Sequence, residues 1–318
     1  MSRVLTALVS TVLLVSICLN VYALMWVVAS TAGPQEQTYQ DGEATQRIVI
    51  VPIKGLIDDS TQGFVRQALD ALEANPPQAV ILRVDSGGGT VGASDRIWYA
   101  LTKFKEQTHI PIVASFGSYA ASGGYYIAAP ADHIFVEPTT ITGSIGVMGG
   151  AFTAERLLTM VGVKPEILVA TGSPDKELAN TMWRNWTEKD RETVRRVLDQ
   201  AYDRFVEVVA LGRQSKLTGE QVKELATGKV YTAAEAIENK LVDESGYLDS
   251  AIDKAAQLAG ISPSVTPLVS VIAPNPSPLD ILLGGRISSD APSSAEQLRK
   301  AIEQISATRV EYRMPPLH

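Results

Sequence analysis

Between Ile48 and Val136, short apolar runs alternate with stretches of helical spacing. This alternation restricts the fold more than any other feature of the chain. Ile48-Val-Ile-Val-Pro-Ile53, Ala79-Val-Ile-Leu-Arg-Val84, Ile112-Val-Ala-Ser115 and His133-Ile-Phe-Val136 read as strands. Residues 62–72 and about 92–104 carry apolar side chains at helical spacing. Buried strands separated by helices predict an α/β fold with a largely parallel sheet. A further strand is expected at Glu166-Ile-Leu-Val169, with a long amphipathic helix over 186–211. Shorter helices are expected near 218–222, 232–239 and 246–258. Ligands in such folds bind beyond the carboxyl ends of strands. Two glycine-rich segments fall there, Asp85-Ser-Gly-Gly-Gly89 and Gly117-Ser-Tyr-Ala-Ala-Ser-Gly-Gly-Tyr-Tyr-Ile127.

The ends of the chain differ from this middle. Residues 4–30 carry no charge and are mostly Leu, Val, Ala and Ile. A helix of that length crosses a hydrocarbon core of roughly 30 Å, so residues 1–30 read as a cytoplasmic start and a transmembrane anchor. A secretory signal peptide is the competing reading, with Ser30-Thr-Ala32 as its cleavage site. Arg3 before the span, and acids without Lys or Arg in residues 31–46 after it, place the N-terminus in the cytoplasm and the bulk outside. Residues 31–46 read as a flexible tether, 47–261 as the folded domain, and 262–318 as a Pro/Ser-rich tail with a short helix near 295–305. The net charge of −7 and the lack of any Lys/Arg block argue against nucleic acid as a partner. Cys18 is the one cysteine, so neither an internal disulfide nor a cysteine zinc site is available. The bulky Ile17 before it argues against lipidation.

Ser122 stands among small residues with two glycines after it, at an expected helix start. It reads either as a nucleophile or as a small-residue helix contact. The run Gly87-Gly-Gly89 lets backbone approach a substrate closely, as an oxyanion-binding loop, a phosphate cradle or a plain turn would require. It lacks the phosphate-loop spacing, and Asp85 beside it disfavours an anion. His109, His133 and His318 all lie outside site-like contexts, which makes a Ser-His-Asp triad a poor fit. A neutral lysine can replace histidine as base, but must be desolvated because a free lysine titrates near about 10.4. Local sequence leaves open which lysine does so.

The segments Gly117–Ile127, Thr142-Gly-Ser-Ile-Gly-Val147, Gly228-Lys-Val-Tyr-Thr232 and Leu241-Val-Asp243 together resemble the signal peptide peptidase A family of serine–lysine proteases, in its short, single-repeat form. The resemblance covers about 48–258. It implies a Clp-protease-like, crotonase-type fold and a ring- or dome-shaped homo-oligomer. It implies Ser122 as nucleophile, Lys176 in Thr171-Gly-Ser-Pro-Asp-Lys-Glu177 as base, and Ser144 as the hydroxyl that orients the lysine. The oxyanion amides would be those of Gly88 and Gly123. Gly87 stands where the family has proline, which bears on the loop's rigidity rather than its role. Lys164 and Lys189 are competing bases outside the matching segment.

The expectation is therefore a membrane-anchored endopeptidase with its catalytic domain outside the cytoplasm. Its substrates would be extended apolar peptides such as remnant signal peptides, cut through an acyl-enzyme without metal or organic cofactor. The alternatives on the same fold are a crotonase-type acyl-CoA enzyme and an inactive oligomeric scaffold.

Overall fold

The computed structural model describes residues 2–31, 34–150, 152–180 and 182–273. The described elements, in chain order, begin with α1 (Ser2–Thr31), β1 (Gln35–Gln40), β2 (Glu43–Ile57), α2 (Asp59–Ala74), β3 (Ala79–Gly89), α3 (Val91–Thr108) and β4 (Ile112–Ala121). Then come α4 (Gly123–Ala128), β5 (His133–Val136), β6 (Ile141–Gly143), α5 (Glu155–Met160), a 3-10 turn (Pro174–Asn180) and α6 (Glu188–Arg213). The last are α7 (Gly219–Leu225), β7 (Val230–Thr232), α8 (Ala233–Glu238), β8 (Glu244–Ser245), α9 (Leu248–Leu258) and β9 (Pro267–Ala273).

One sheet runs in the order β1-β9-β2-β3-β4-β5-β8, with β6 pairing β4 and β7. From β9 to β8 every neighbouring pair is parallel; β1 on β9 and β7 on β6 are antiparallel. The alternation in sequence predicts this arrangement, because each parallel connection needs a crossover. One face of the sheet, with Val49, Val51, Val80, Leu82, Val84, Ala114 and Phe116, packs on residues of α2, α3 and α4. The other, with Ile48, Ile50, Ile81 and Val113, packs on Ala251, Ile252 and Ala255 of α9.

Three expectations need correction. The tether at 31–46 is largely strand: β1 pairs residue by residue with β9, and β2 begins at Glu43. The Gly and Gln content of this stretch hid an edge strand, whose side chains are exposed. The tail expected from 262 contributes β9, which inserts between β1 and β2 and buries Val269 and Ile272. The folded unit therefore spans Pro34–Pro274. The expected helix at 295–305 lies outside the described residues. No strand forms at Glu166–Val169, where the chain is irregular and mostly exposed.

Among the described residues, no helix is long and apolar enough to cross a membrane, so the anchor expected at 1–30 is not shown. The backbone there is a single helix of 30 residues, and its described large side chains, Leu5, Leu8, Val12, Leu13, Leu14 and Leu19 among them, are exposed.

A buried ion pair ties the helical layer to the sheet. Arg213, at the end of α6, donates to both carboxylate oxygens of Asp243, and these side chains are only 4% and 2% exposed. Asp243 also accepts from Lys216 and from the Ile134 N–H of β5. Burial alone would raise the Asp243 pKa; the bonds from Arg213, Lys216 and Ile134 outweigh it and hold the carboxyl at about 2, below its ordinary 3.8. A depressed carboxyl stabilises the fold above its unfolded pKa and loses that contribution as pH falls through the folded value. Urea titrations between pH 5 and pH 2 should show about 2 kcal/mol of stability vanishing across this window. Asp243→Asn should remove that part of the pH dependence.

Candidate active site

Strand β4 ends at Ala121 and the chain turns at once into α4. Ser122 forms the turn, with φ 52° and ψ −120°. A side chain with a Cβ is strained at such a φ, and strain of this kind persists only where surrounding structure enforces it. The enforcing contacts are visible. The Ser122 N–H donates to Gly143 O at 2.8 Å, and the Ser122 carbonyl accepts from the Tyr126 N–H at 2.9 Å. The α4 residues Gly123 to Ala128 are all buried. Tyr125 donates its hydroxyl to Leu241 O at 2.6 Å, and burial raises its pKa. Tyr126 donates to Asp95 at 2.6 Å, and burial, then that carboxylate, raises its pKa. Both phenols therefore stay protonated, as donors clamping α4 between α3 and the segment before β8. The motif Leu241-Val-Asp243 supports the Ser122 turn from below: Leu241 holds Tyr125, and Asp243 holds the loop through Arg213.

The glycine run at the end of β3 lies directly against this turn. A Cβ on Gly88, whose φ is +111°, would stand 2.9 Å from both the Gly123 nitrogen and Ser122 Cβ. A Cβ on Gly123 would stand 3.1 Å from the Gly89 nitrogen and 3.3 Å from Gly88 Cα. Glycine is required at both places because the two backbones touch. Gly123 opens α4, so its N–H has no acceptor within the helix. The Gly88 N–H donates to Ser86 Oγ at 3.0 Å. Ser144 follows Gly143, the residue that accepts from Ser122 N–H, and itself has a positive φ of 48°. Its N–H donates to Lys229 O at 2.8 Å. The half-buried Ser122, Gly88, Gly123 and the Gly143-Ser144 corner thus meet at the carboxyl ends of β3, β4 and β6.

The sheet register settles the histidines. His133 pairs with Val113, at the end of β4 away from Ser122. Its Nε2 lies 3.4 Å from a Glu244 carboxylate oxygen, and burial lowers its pKa. His109 closes α3 in a left-handed conformation, before β4 begins. Neither belongs to the Ser122 corner, and His318 lies outside the described residues.

A sequence model described as Peptidase family S49 matches residues 104–262, and one described as NfeD1b, N-terminal domain matches 47–156. A Synechocystis protein bearing a protease name is 37% identical over 231 residues, which cover 73% of this chain and 81% of that one.

The chain belongs to peptidase family S49.

Protease 4 of Haemophilus influenzae is 37% identical over 67% of this chain, and the chloroplastic serine protease SPPA of Arabidopsis thaliana is 34% identical over 76%. The match spans 35% of the length of each of those two relatives. Among solved structures, the membrane-bound stomatin-specific protease 1510-N covers 73% of this chain at TM-score 0.47 and 18% identity. ClpP1 of Listeria monocytogenes covers 65% at TM-score 0.43 and 16% identity. The S49 relatives support a serine protease of signal peptide peptidase type.

In this S49 chain the expected base makes no hydrogen bond to the corner among the described residues. Lys176 is exposed on the 3-10 turn Pro174–Asn180, and neither its Nζ nor Ser122 Oγ has a hydrogen-bond partner among the described residues. Lys189 is bonded to Asp175 at 2.6 Å, which raises its pKa and makes it a poor base. Lys164 is exposed. The segment bearing Lys176 carries exposed apolar side chains: Met148 is 96% exposed, Phe152 94% and Leu168 89%. Sequence reading missed the supports of the corner, namely Ser86, Asp95 and Arg213. Ser86 stands within the glycine motif itself. The other two are distant in sequence, and only packing connects them to Ser122.

Proposed function

We propose that this chain is a serine–lysine endopeptidase with Ser122 as nucleophile and Lys176 as general base. The observation that carries the reading is the strained Ser122 turn, packed against Gly88 with the unbonded helix-start amide of Gly123 beside it. The neutral amine of Lys176 takes the Ser122 hydroxyl proton as Oγ attacks a peptide carbonyl. The amides of Gly88 and Gly123 receive the negative charge that develops on the carbonyl oxygen. The resulting ammonium returns its proton to the leaving amine, leaving an acyl-enzyme. Lys176 then takes a proton from water as it attacks the ester, and delivers that proton to Ser122 Oγ as the acyl C–O bond breaks and the peptide acid leaves. Ser144 orients the lysine. The reaction calls for no metal and no organic cofactor.

Lys176 of one copy completes the Ser122 corner of another. An exposed lysine is solvated and charged, and covering it would favour the neutral form. The exposed Met148, Phe152 and Leu168 of the same segment are apolar side chains that a second copy would cover. Mixing Ser122→Ala chains with Lys176→Ala chains, each inactive alone, should restore peptidase activity. Absence of rescue at any ratio argues for a base within the same chain.

The substrates are extended apolar peptides of the kind left by signal peptides. Exposed apolar residues flank the corner: Leu56 pairs with Gly88 and Val230 with Gly143, and Tyr119 pairs with Ile141 on the strands β4 and β6 that lead to Ser122 and Gly143. They border the turn where a peptide strand would lie, with side chains available for alternate pockets. The charge-free sequence run 4–30, preceded by Arg3, is what supports membrane attachment with the catalytic domain outside the cytoplasm. Labelling the full chain with a serine-reactive fluorophosphonate, alongside peptide cleavage, tests the enzymatic reading. Ser122-dependent labelling and cleavage support it, whereas a folded chain that does neither overturns it.

A further inference from the structure

The glycine loop is not held by the sheet alone. Between β2 and β3 the pairing runs from Lys54 with Asp85 to Leu56 with Gly88, so Ser86 and Gly87 face Gly55 alone. Between β3 and β4 it runs from Val84 with Phe116 to Ser86 with Ala120. The ladder is therefore broken on both sides at the residues that carry Gly88 towards Ser122. Bulges of this kind re-aim the residues beyond them.

The Ser86 side chain bridges the break. It is 1% exposed. Its hydroxyl donates to Gly55 O at 2.5 Å and accepts the Gly88 N–H at 3.0 Å. Gly55 has φ +74°, and Gly87 has open space where a Cβ would stand. With glycine at 55, 87 and 88, the backbone itself does little to fix the plane of the Gly87–Gly88 peptide. The hydroxyl fixes it, and Gly88 is already in contact with Ser122 and Gly123. A shift of a few tenths of an ångström would move the amide relative to the nucleophile.

We infer that Ser86 is a positioning residue for the oxyanion site: its hydroxyl anchors the Gly88 peptide to β2 and sets the direction of the Gly88 N–H. The inference rests on the serine peptidase reading above. Until substrate arrives, Ser86 Oγ satisfies this buried N–H, which would otherwise be unpaired. When charge develops on the substrate oxygen, that oxygen shares the N–H with Ser86 Oγ, which keeps the Gly87–Gly88 peptide in place because it stays tied to Gly55.

The test compares the tetrahedral state with the ground state. In the full chain, Ser86→Ala should lower kcat for a peptide substrate by about 30- to 100-fold with KM changed less than about threefold, since loss of an oxyanion donor costs about 100- to 1,000-fold. Affinity for a peptide boronate, which forms a tetrahedral adduct on serine, should fall in parallel. Binding of the uncleaved peptide to Ser122→Ala should be the same with Ser86 or Ala at position 86. Should Ser86→Ala fail to fold, Ser86→Cys fills similar space with a weaker donor and acceptor, and the same pattern is expected. Equal loss of peptide and boronate binding, unchanged kcat, or tighter boronate binding would each overturn the assignment. Wild-type chain without Ser122-dependent cleavage would instead overturn the peptidase reading, before Ser86 is at issue.

Discussion

Ser122→Ala and Lys176→Ala should each lower kcat for a peptide substrate by about 10⁴-fold or more, and Lys176→Arg should be as inactive as Lys176→Ala. Removing one member of a nucleophile–base pair costs nearly as much as removing both, because the two act in one proton transfer. Arginine keeps the positive charge but cannot give up its proton at neutral pH, so it cannot serve as base. The Lys176 variants should unfold at the wild-type urea midpoint, since this exposed side chain has no hydrogen-bond partner among the described residues. Steady-state cleavage of an apolar peptide, read with a urea titration, separates chemistry from stability. If Lys176→Ala keeps more than a tenth of wild-type kcat, the base is another group and the pairing of Ser122 with Lys176 is wrong.

Asp243→Ala should cost about 3–5 kcal/mol of folding stability, because it leaves the Arg213 guanidinium buried without its carboxylate. Its cost should exceed that of a typical surface substitution several-fold. The double change Asp243→Ala with Arg213→Met should recover at least half of that loss, since replacing a buried pair by apolar groups removes two desolvation penalties together. Urea unfolding of the three variants measures this. If the double variant is no more stable than Asp243→Ala, the damage comes from lost contacts to Lys216, Ile134 and Lys240 rather than from an unpaired charge. The pair also bears on Ser122: Arg213 donates to Lys240 O, next to the Leu241 carbonyl that holds Tyr125 of α4. Asp243→Ala should therefore lower activity even below the urea concentration that unfolds it.

The parallel sheet was legible because its central strands are buried on both faces, and mostly apolar runs such as Ala79–Val84 announce this locally. The helix starts expected near 218 and 232 stand where the structure has them, because the capping that fixes them is local, Thr218 with Gln221 and Thr232 with Glu235. Edge elements were less legible. Gln35–Gln40 is polar and exposed, and it is strand because β9 pairs with it. Residues 267–273 join the sheet more than 200 positions after their partner strand β2, a pairing that no local window contains.

The sequence by itself determined the glycines at 88 and 123, the small residues around Ser122 and the motifs shared with S49 peptidases, because close backbone approach excludes any Cβ and that exclusion is written in residue type. Tertiary structure alone decided that the histidines stand away from Ser122, that Ser86 spans a double break in the sheet, and that Arg213 meets Asp243 beneath α4. Those facts depend on register and packing between distant segments, whose energies arise only when the segments meet.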